Sequence, residues 1–162
     1  MAKIYISIGS NIDAEKNIRL AIHALQQHYG KLILSSVYES ESVGFDGDNF
    51  LNLVVGVNTD EDVYAVAATL RKIEDDNGRD RSGPRFSSRV VDLDLLLYDD
   101  LILNDGKLEL PRDEITKNAF VLQPLDEIAA QLIHPVTGKT ICDHWMSFDK
   151  TSQKLWTIDF EV

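Results

Sequence analysis

The chain has 162 residues, of which 44% are hydrophobic and 27% are charged, a composition typical of one globular domain and not of a disordered or fibrous protein. Its 16 Lys and Arg residues against 27 Asp and Glu residues give a net charge of −11, which argues against general binding to nucleic acids or anionic membranes. Because it has one cysteine, Cys142, and no apolar segment of about 20 residues, we expect a cytoplasmic protein without an internal disulfide or a membrane span.

The first part of the chain alternates between strand and helix patterns. Residues 3–8 alternate loosely and are rich in isoleucine, which predicts a strand that ends in a tight turn at residues 9–11. Residues 13–29 carry apolar side chains at helical spacing, and Gly30 lies where a helix would end in a left-handed conformation. Residues 32–39 then predict a second strand.

The middle of the chain predicts a buried strand, a helix and a further strand. Residues 50–57 form an almost unbroken apolar run, which is typical of a strand covered on both faces. The helix that follows has Thr59 or Asp60 to cap its start and Asn77 near its end. Residues 90–98 predict the fourth strand.

The last third of the chain predicts a hairpin and a short helix. Residues 101–110 have apolar residues on both sides of Asp105 and Gly106, which is the pattern of a β-hairpin. A helix over residues 120–129 begins near Asn118. The element order is that of the ferredoxin-like βαββαβ split unit, an α+β fold, here with an added hairpin and a C-terminal helical segment. We expect one domain over residues 1–162.

Two aspartates lie two positions apart on the predicted fourth strand. Because alternate residues of a strand point to the same face, Asp92 and Asp94 project together. Adjacent carboxylates repel each other unless a cation lies between them, and Mg²⁺ takes one or two carboxylates with phosphate oxygens and water. A structural pairing of these aspartates with Arg89 or another arginine is the alternative. The alternate side chains are expected to share the opposite face of the strand and to pack in the core: Val91, Leu93, Leu95 and Leu97.

Four arginines lie close together just before this strand: Arg79, Arg81, Arg85 and Arg89. Guanidinium groups fit pairs of phosphate oxygens, so this loop indicates a polyphosphate ligand. The alternative is a solvated loop whose charges offset the acids at residues 74–76. Together with the aspartates, the loop predicts phosphoryl transfer, in which catalysis is mostly positioning and charge neutralisation. The chain has no P-loop motif.

Aromatic rings and one amide add a second kind of signal. Phe86 lies in the arginine loop, where no apolar periodicity explains it. Phe50 and Asn52 share one face of the predicted third strand, and Phe120 begins the last helix. A buried amide needs hydrogen-bond partners, and a flat heterocycle with donors and acceptors on its edge supplies them. Ordinary core packing is the alternative for each ring.

These residues resemble the 6-hydroxymethyl-7,8-dihydropterin pyrophosphokinase family of folate biosynthesis. The most specific part of the resemblance is Arg89-x-x-Asp92-Leu93-Asp94-Leu95-Leu96, and it extends over most of the chain, from residue 6 to residue 129. The resemblance implies a Mg²⁺-dependent transferase that moves the pyrophosphoryl group of ATP to the hydroxymethyl group of a reduced pterin and releases AMP. It implies small-molecule substrates only, with no nucleic acid or membrane partner, and a monomer.

The resemblance also implies roles for individual residues. Asp92 and Asp94 hold two Mg²⁺ ions, and Arg79 and Arg89 neutralise charge on the phosphates. Further residues surround ATP: Glu74, Arg81, Arg85 and Lys107; Arg112, at a position that departs from the family pattern, is expected to replace part of a nucleotide contact. A third set surrounds the pterin, with Phe86 and Phe120 sandwiching the ring and Asn52 reading its edge: Ser40, Val43, Phe50, Asn52, Phe86 and Phe120.

The chain departs from the family pattern at several positions. Glu41 stands where a proline is common, Ser87 and Ser88 replace Gly-Pro, Arg112 stands where a histidine is common, and Asn118 where an arginine is common. These departures leave open a divergent paralogue that binds pterin or nucleotide without efficient turnover. A ferredoxin-like RNA-binding module is the third possibility, and the acidic composition argues against it.

Overall fold

The computed structural model describes residues 1–41, 49–77 and 91–162. The strands are β1 (Ala2–Ser10), β2 (Ile33–Leu34), β3 (Val37–Ser40), β4 (Phe50–Thr59), β5 (Asp92–Tyr98), β6 (Leu103–Asn104), β7 (Glu109–Leu110) and β8 (Leu155–Ile158). The helices are α1 (Ala14–Tyr29), α2 (Val63–Asp76), α3 (Ala119–Ala129) and α4 (Ile141–Ser147), with a 3₁₀ turn at Asp113–Thr116.

Six strands form one sheet. Five of them lie in the order β5-β1-β4-β3-β8, and β2 also pairs with β4. All the pairings in this sheet are antiparallel. β1 pairs with β4 along its whole length, so these two strands form the centre of the sheet. β6 and β7 form a separate two-stranded hairpin. β5 therefore lies at one edge of the main sheet, with β1 as its neighbour.

Helices cover both faces of the sheet. On one face, α1 and α2 pack over alternate residues of β1, Ile4, Ile6 and Ile8, all of which are fully buried. On the opposite face, α3 packs over Tyr5 and Val54. The period-two alternation of β1 and β4 thus divides their side chains between two cores. Each fully buried aliphatic side chain contributes about 1.5–3 kcal/mol through removal of its surface from water.

A β-bulge changes the face of one predicted core residue. Leu97 is buried, as predicted, but it packs with Tyr5 in the core under α3 and not on the face of Leu93 and Leu95, so the predicted face was wrong. The register of β5 against β1 shifts between Tyr5 and Ile6, which places Leu96 as an extra residue in β5. One inserted residue reverses the alternation beyond it, because a strand has a side-chain period of two.

Several predicted boundaries differ from the structure. Gly9 and Ser10 belong to β1 and are not a turn. The predicted second strand is interrupted at Ser35, whose hydroxyl accepts a hydrogen bond from the Val54 amide at 3.0 Å. Asp62, and neither of the predicted residues, caps α2 by accepting from the Ala65 amide. Side-chain hydrogen bonding of this kind competes locally with regular strand and helix bonding.

The helix boundaries near glycine and asparagine lie where the sequence patterns predicted them. Gly30 follows α1 with a φ of 87°, a value that favours glycine, but its ψ of −132° lies outside the predicted left-handed helical conformation. Asn118 precedes α3, which continues through Pro124. The C-terminal segment differs from its prediction, because it contains both α4 and β8, and β8 joins the main sheet beside β3.

Two whole-chain expectations concern the membrane and the cysteine. Within the three described ranges, no helix combines the length and the apolar character that crossing a membrane requires. Cys142 carries a free thiol. The predicted arginine loop, residues 79–89, lies outside the described residues.

Candidate active site

Three neighbouring strands bring the predicted amide and the predicted carboxylates onto one face of the sheet, in two adjacent rows. Gly9 of β1 pairs with Asn52 on one side and with Asp92 on the other. In the next row of the same face, Ser7 pairs with Val54 and with Asp94. The two aspartates therefore project from the same face of β5, as the strand alternation predicted. Small residues of β1 form the floor between them and Asn52.

Gly9 is required by the position of the Asn52 side chain. A Cβ atom at residue 9 would lie 2.6 Å from Asn52 Oδ1, closer than atoms in contact allow. The amide of Asn52 thus lies directly over the backbone of Gly9. The sequence signal for this role is weak, because it depends on which residue of β4 comes opposite in the sheet.

A cavity of about 790 Å³ opens above this floor. Four residues predicted to surround a pterin line it: Ser40, Phe50, Asn52 and Phe120. Asp92 and Asp94 line it as well. Aromatic rings beside a few polar groups are the usual composition of a site for a flat heterocycle. Two of the departures from the family pattern, Glu41 and Asn118, also face this cavity.

A second cavity of about 670 Å³ lies between α2, β5 and the hairpin. Three residues predicted to surround a nucleotide line it: Glu74, Lys107 and Arg112. Arg71, which the sequence analysis missed, is a further cation on its wall. The side chains of α2 that line this cavity recur at helical spacing: Tyr64, Ala67, Ala68 and Arg71. The helical periodicity of α2 could therefore have predicted that Arg71 shares a face with them.

Asp92 and Asp94 line both cavities. The first cavity presents rings and an amide, and the described part of its wall has one basic side chain, Lys154. The second presents three basic side chains, those of Arg71, Lys107 and Arg112, together with the buried carboxylate of Glu74. The carboxylate pair therefore lies at the boundary between an aromatic chamber and a cationic one. This arrangement suits two substrates that meet at the pair.

Glu74 fixes the position of the strand that carries the aspartates. It is only 7% exposed, and its Oε2 accepts a hydrogen bond from the Leu93 amide at 2.9 Å. A buried carboxylate requires such partners, because an unpaired one is costly to bury. The Leu93 amide lies between the two aspartates in sequence. Glu74 thus joins α2 to β5 at the carboxylate pair.

Arg112 lies between two acids. Its Nη2 is 3.6 Å from Asp94 Oδ1, and its Nε is 3.0 Å from Glu114 Oε1. Burial by itself lowers the pKa of this guanidinium, but the charges of Asp94 and Glu114 outweigh burial and raise the pKa. Arg112 is therefore a permanent cation beside the carboxylate pair.

The C-terminal segment forms one wall of the first cavity, which the sequence analysis did not predict. Residues 151–155, named here the C-terminal wall, all line it. Gln153 connects this wall to α3: its Oε1 accepts from the Ala119 amide at 2.7 Å, and its Nε2 donates to the Lys117 carbonyl at 2.9 Å. Because these contacts join residues more than 30 positions apart, no local sequence pattern predicts them.

Six predicted site residues lie outside the described residues, and their roles stay predictions: Val43, Arg79, Arg81, Arg85, Phe86 and Arg89. Within the described ranges, no cluster of three or more His, Cys, Asp or Glu side chains has the arrangement of a metal site. Asp92 and Asp94 stay the predicted metal ligands.

The chain is similar in sequence to a known family and to named relatives. A family model described as 7,8-dihydro-6-hydroxymethylpterin-pyrophosphokinase (HPPK) matches residues 5–130. The 2-amino-4-hydroxy-6-hydroxymethyldihydropteridine pyrophosphokinase of Aquifex aeolicus is 33% identical over 143 residues, which cover 87% of this chain and 89% of that protein. The Bacillus subtilis protein of the same name is 36% identical over 138 residues, covering 83% of this chain and 82% of that protein.

A solved structure shares the fold at low sequence identity. The wild-type HPPK-DHPS of Plasmodium falciparum superposes with a TM-score of 0.69 at 15% identity, over 90% of this chain. This chain spans 44% of that longer one. The family model and the bacterial relatives each cover most of the chain, and they agree with the sequence resemblance. The chain belongs to the 7,8-dihydro-6-hydroxymethylpterin-pyrophosphokinase family.

Proposed function

We propose that this chain transfers the pyrophosphoryl group of ATP to the hydroxymethyl oxygen of 6-hydroxymethyl-7,8-dihydropterin and releases AMP. Family membership and the named bacterial relatives support this reaction and its place in folate biosynthesis. We further propose that the reaction depends on Mg²⁺ and that the domain is of the ferredoxin-like type, which the antiparallel order β5-β1-β4-β3 supports.

The observation that carries the proposal is the position of Asp92 and Asp94 on the walls of both cavities. The pterin occupies the aromatic chamber, with its edge toward Asn52 and its face toward Phe120. The nucleotide occupies the cationic chamber, with its phosphates toward Lys107 and Arg112. The acceptor hydroxyl and the phosphates then meet at the carboxylate pair, as direct transfer between two bound substrates requires.

The carboxylate pair fits Mg²⁺. Two carboxylates on one face of a strand supply the hard oxygen ligands that Mg²⁺ takes when the nucleotide phosphates complete its coordination. Asp92 and Asp94 would hold such ions, and the bound ions would neutralise the charge of the phosphates. Glu74 supports this pair because its carboxylate accepts a hydrogen bond from the Leu93 amide, which holds β5 against α2.

Asp92 is the carboxylate in the same row as Gly9 and Asn52, and thus the one nearer the amide that reads the pterin. We assign to Asp92 the role of accepting the proton of the hydroxymethyl group as its oxygen attacks the β-phosphorus. General-base transfer of this kind contributes about 10²–10⁴-fold. The predicted roles of Arg79 and Arg89 in neutralising the phosphates belong to the same proposal.

The proposal is tested with purified protein, ATP, MgCl₂ and 6-hydroxymethyl-7,8-dihydropterin, with nucleotides resolved by chromatography. We expect AMP and the pterin diphosphate in equal amounts, and no AMP when the pterin is omitted. ADP as the product, or AMP release independent of pterin, would exclude pyrophosphoryl transfer. A titration with EDTA tests the metal requirement in the same assay, and activity that survives excess EDTA would exclude it.

Binding without turnover is the second candidate. It is favoured by the placement of Glu41 and Asn118, both departures from the family pattern, on the wall of the aromatic chamber. Calorimetry that shows binding of pterin and ATP, with no AMP formed over hours, would establish it in place of the enzyme.

We also propose that the chain acts as a monomer in the cytoplasm. Cys142 is a free thiol, which a reducing compartment such as the cytoplasm preserves. Light scattering of the purified protein tests the monomer, with a mass near 18.2 kDa expected and twice that value contradicting it.

A further inference from the structure

We propose that Gln153 is a positioning residue that sets the pterin side of the site through the first turn of α3. The inference rests on the proposed function, because it concerns how the aromatic chamber holds its substrate. Gln153 is far in sequence from the residues that carry the family resemblance, which end near residue 130.

The first argument is the capping of α3. The first amides of a helix lack partners within the helix, and the N-cap side chain usually accepts from one of them. Asn118 occupies this position, yet its side chain makes no capping hydrogen bond within the described turn. The amide of Ala119 instead donates to Gln153 Oε1 at 2.7 Å. Gln153 thus supplies a partner from outside the helix, and Asn118 lines the cavity.

The second argument is the fixed orientation of the Gln153 amide. Its oxygen meets an N–H group and its nitrogen meets the Lys117 carbonyl at 2.9 Å, so both ends are satisfied in one orientation. Two hydrogen bonds to the backbone on either side of residue 118 hold that residue and the helix start together. Phe120, the next residue after Ala119, lines the cavity from this turn.

The third argument is the attachment of the C-terminal wall on which Gln153 lies. At one end, Leu155 pairs with Ser40 where β8 joins β3. Before the other end, Lys150 Nζ donates to the Trp145 carbonyl of α4 at 2.7 Å, and Asp149 Oδ1 closes a local turn by accepting from the amide and the hydroxyl of Thr151. A side chain on an attached segment can fix its partner, whereas one on a free tail cannot. Ser40 and Phe120, which both line the chamber, are thus joined through this wall.

The test compares Gln153→Met and Gln153→Glu with the unaltered chain. Methionine keeps the length of the side chain and removes both hydrogen bonds, and glutamate keeps only the acceptor for the Ala119 amide. For Gln153→Met we expect the pterin Kd, measured by calorimetry with a non-hydrolysable ATP analogue and Mg²⁺, and the pterin KM to rise about five- to tenfold. The KM for ATP should change less than twofold. The pterin Kd and KM of Gln153→Glu should lie between those of the unaltered chain and those of Gln153→Met.

Gln131→Met is the matched control, because Gln131 is an exposed residue just beyond α3. It should leave both KM values unchanged. Equal rises in the two KM values for Gln153→Met, or no rise in either, would overturn the positioning role. A wild-type chain that forms no AMP would contradict the proposed function instead, and the calorimetric pterin affinities would still decide the role of Gln153.

Discussion

Arg112 and Asp94 form an ion pair at the boundary of the two cavities, with Nη2 3.6 Å from Oδ1 and both side chains about one-third exposed. The same guanidinium contacts Glu114. Ion pairs this accessible contribute about 0–1 kcal/mol, so the pair opens at little cost. The chain thus places a cation beside its candidate metal ligand, and under the proposed function a metal ion would compete with Arg112 for that carboxylate.

Asp94→Asn tests the carboxylate as a ligand. We expect kcat/KM to fall at least about a thousandfold, since several kcal/mol of charge stabilisation are lost at the reacting phosphates. The thermal unfolding midpoint should stay close to that of the unaltered chain, because the replaced group is partly exposed. Asp100→Asn, an exposed aspartate just after β5, is the control and should retain full activity. A folded Asp94→Asn chain with near-normal activity would contradict the metal role.

Arg112→Gln tests the competition. Removing the guanidinium should tighten Mn²⁺ binding to the nucleotide-free chain about two- to fivefold, measured by electron paramagnetic resonance of free Mn²⁺. The same change should raise the KM for ATP, because a cation is lost from the cationic chamber, where we propose that the nucleotide binds. Arg71→Gln removes an equal charge from the same chamber, and we expect no gain in Mn²⁺ affinity from it. Equal gains in both variants would indicate a general charge effect and not the pair.

Local periodicity predicted the helices and the central strands because their patterns are complete within short windows. α1, α2 and α3 all appear where apolar spacing placed them. β8 did not follow from the sequence, since a strand of four residues at the sheet edge is defined by its partner β3 and not by its own pattern. The displacement of Leu97 has a similar origin, because a bulge depends on the register between two strands.

The carboxylate pair could be predicted because Asp92 and Asp94 are related by strand alternation alone. The floor under the substrate could not, because it needs the register of three strands to place Gly9 between Asn52 and Asp92. The role of Gln153 could not be predicted from the sequence for a different reason. Its partners lie 34 and 36 positions away, and glutamine has no distinctive spacing signal.

Gly9→Ala tests the floor. The new Cβ would lie 2.6 Å from Asn52 Oδ1, so the amide must move out of its place in the aromatic chamber. Crowding of this kind costs about 1–3 kcal/mol. We expect the pterin KM to rise about tenfold, with the KM for ATP nearly unchanged, in steady-state assays that vary one substrate at a time.

Gly56→Ala is the matched control for this prediction. Gly56 lies in the same sheet, and its added Cβ would meet the Tyr5 ring at 3.0 Å, away from the cavity. That variant should lose stability in urea unfolding without a selective change in the pterin KM. If both variants alter the pterin KM equally, the effect of Gly9→Ala is a general weakening of the sheet.

His134 makes stability depend on pH. Its ring is 5% exposed, and its Nδ1 accepts from the Val136 and Thr137 amides. Burial, followed by the nearby His144, lowers the pKa of His134 below its ordinary value of 6.5. Below that pH the unfolded chain binds a proton that the folded chain does not, so the free energy of unfolding should decrease as the pH falls through 6.5 and level off above it.

The measurement is urea unfolding at several pH values between about 5.5 and 7.5, the range around the ordinary histidine pKa. His134→Asn retains an acceptor for the two amides and removes the titrating group, so its free energy of unfolding should vary less with pH than that of the unaltered chain. His23→Asn changes an exposed histidine of α1 and should leave the pH dependence as it is. A slope unaltered in His134→Asn would show that other groups cause it, since linkage assigns the slope to the group whose protonation differs between the two states.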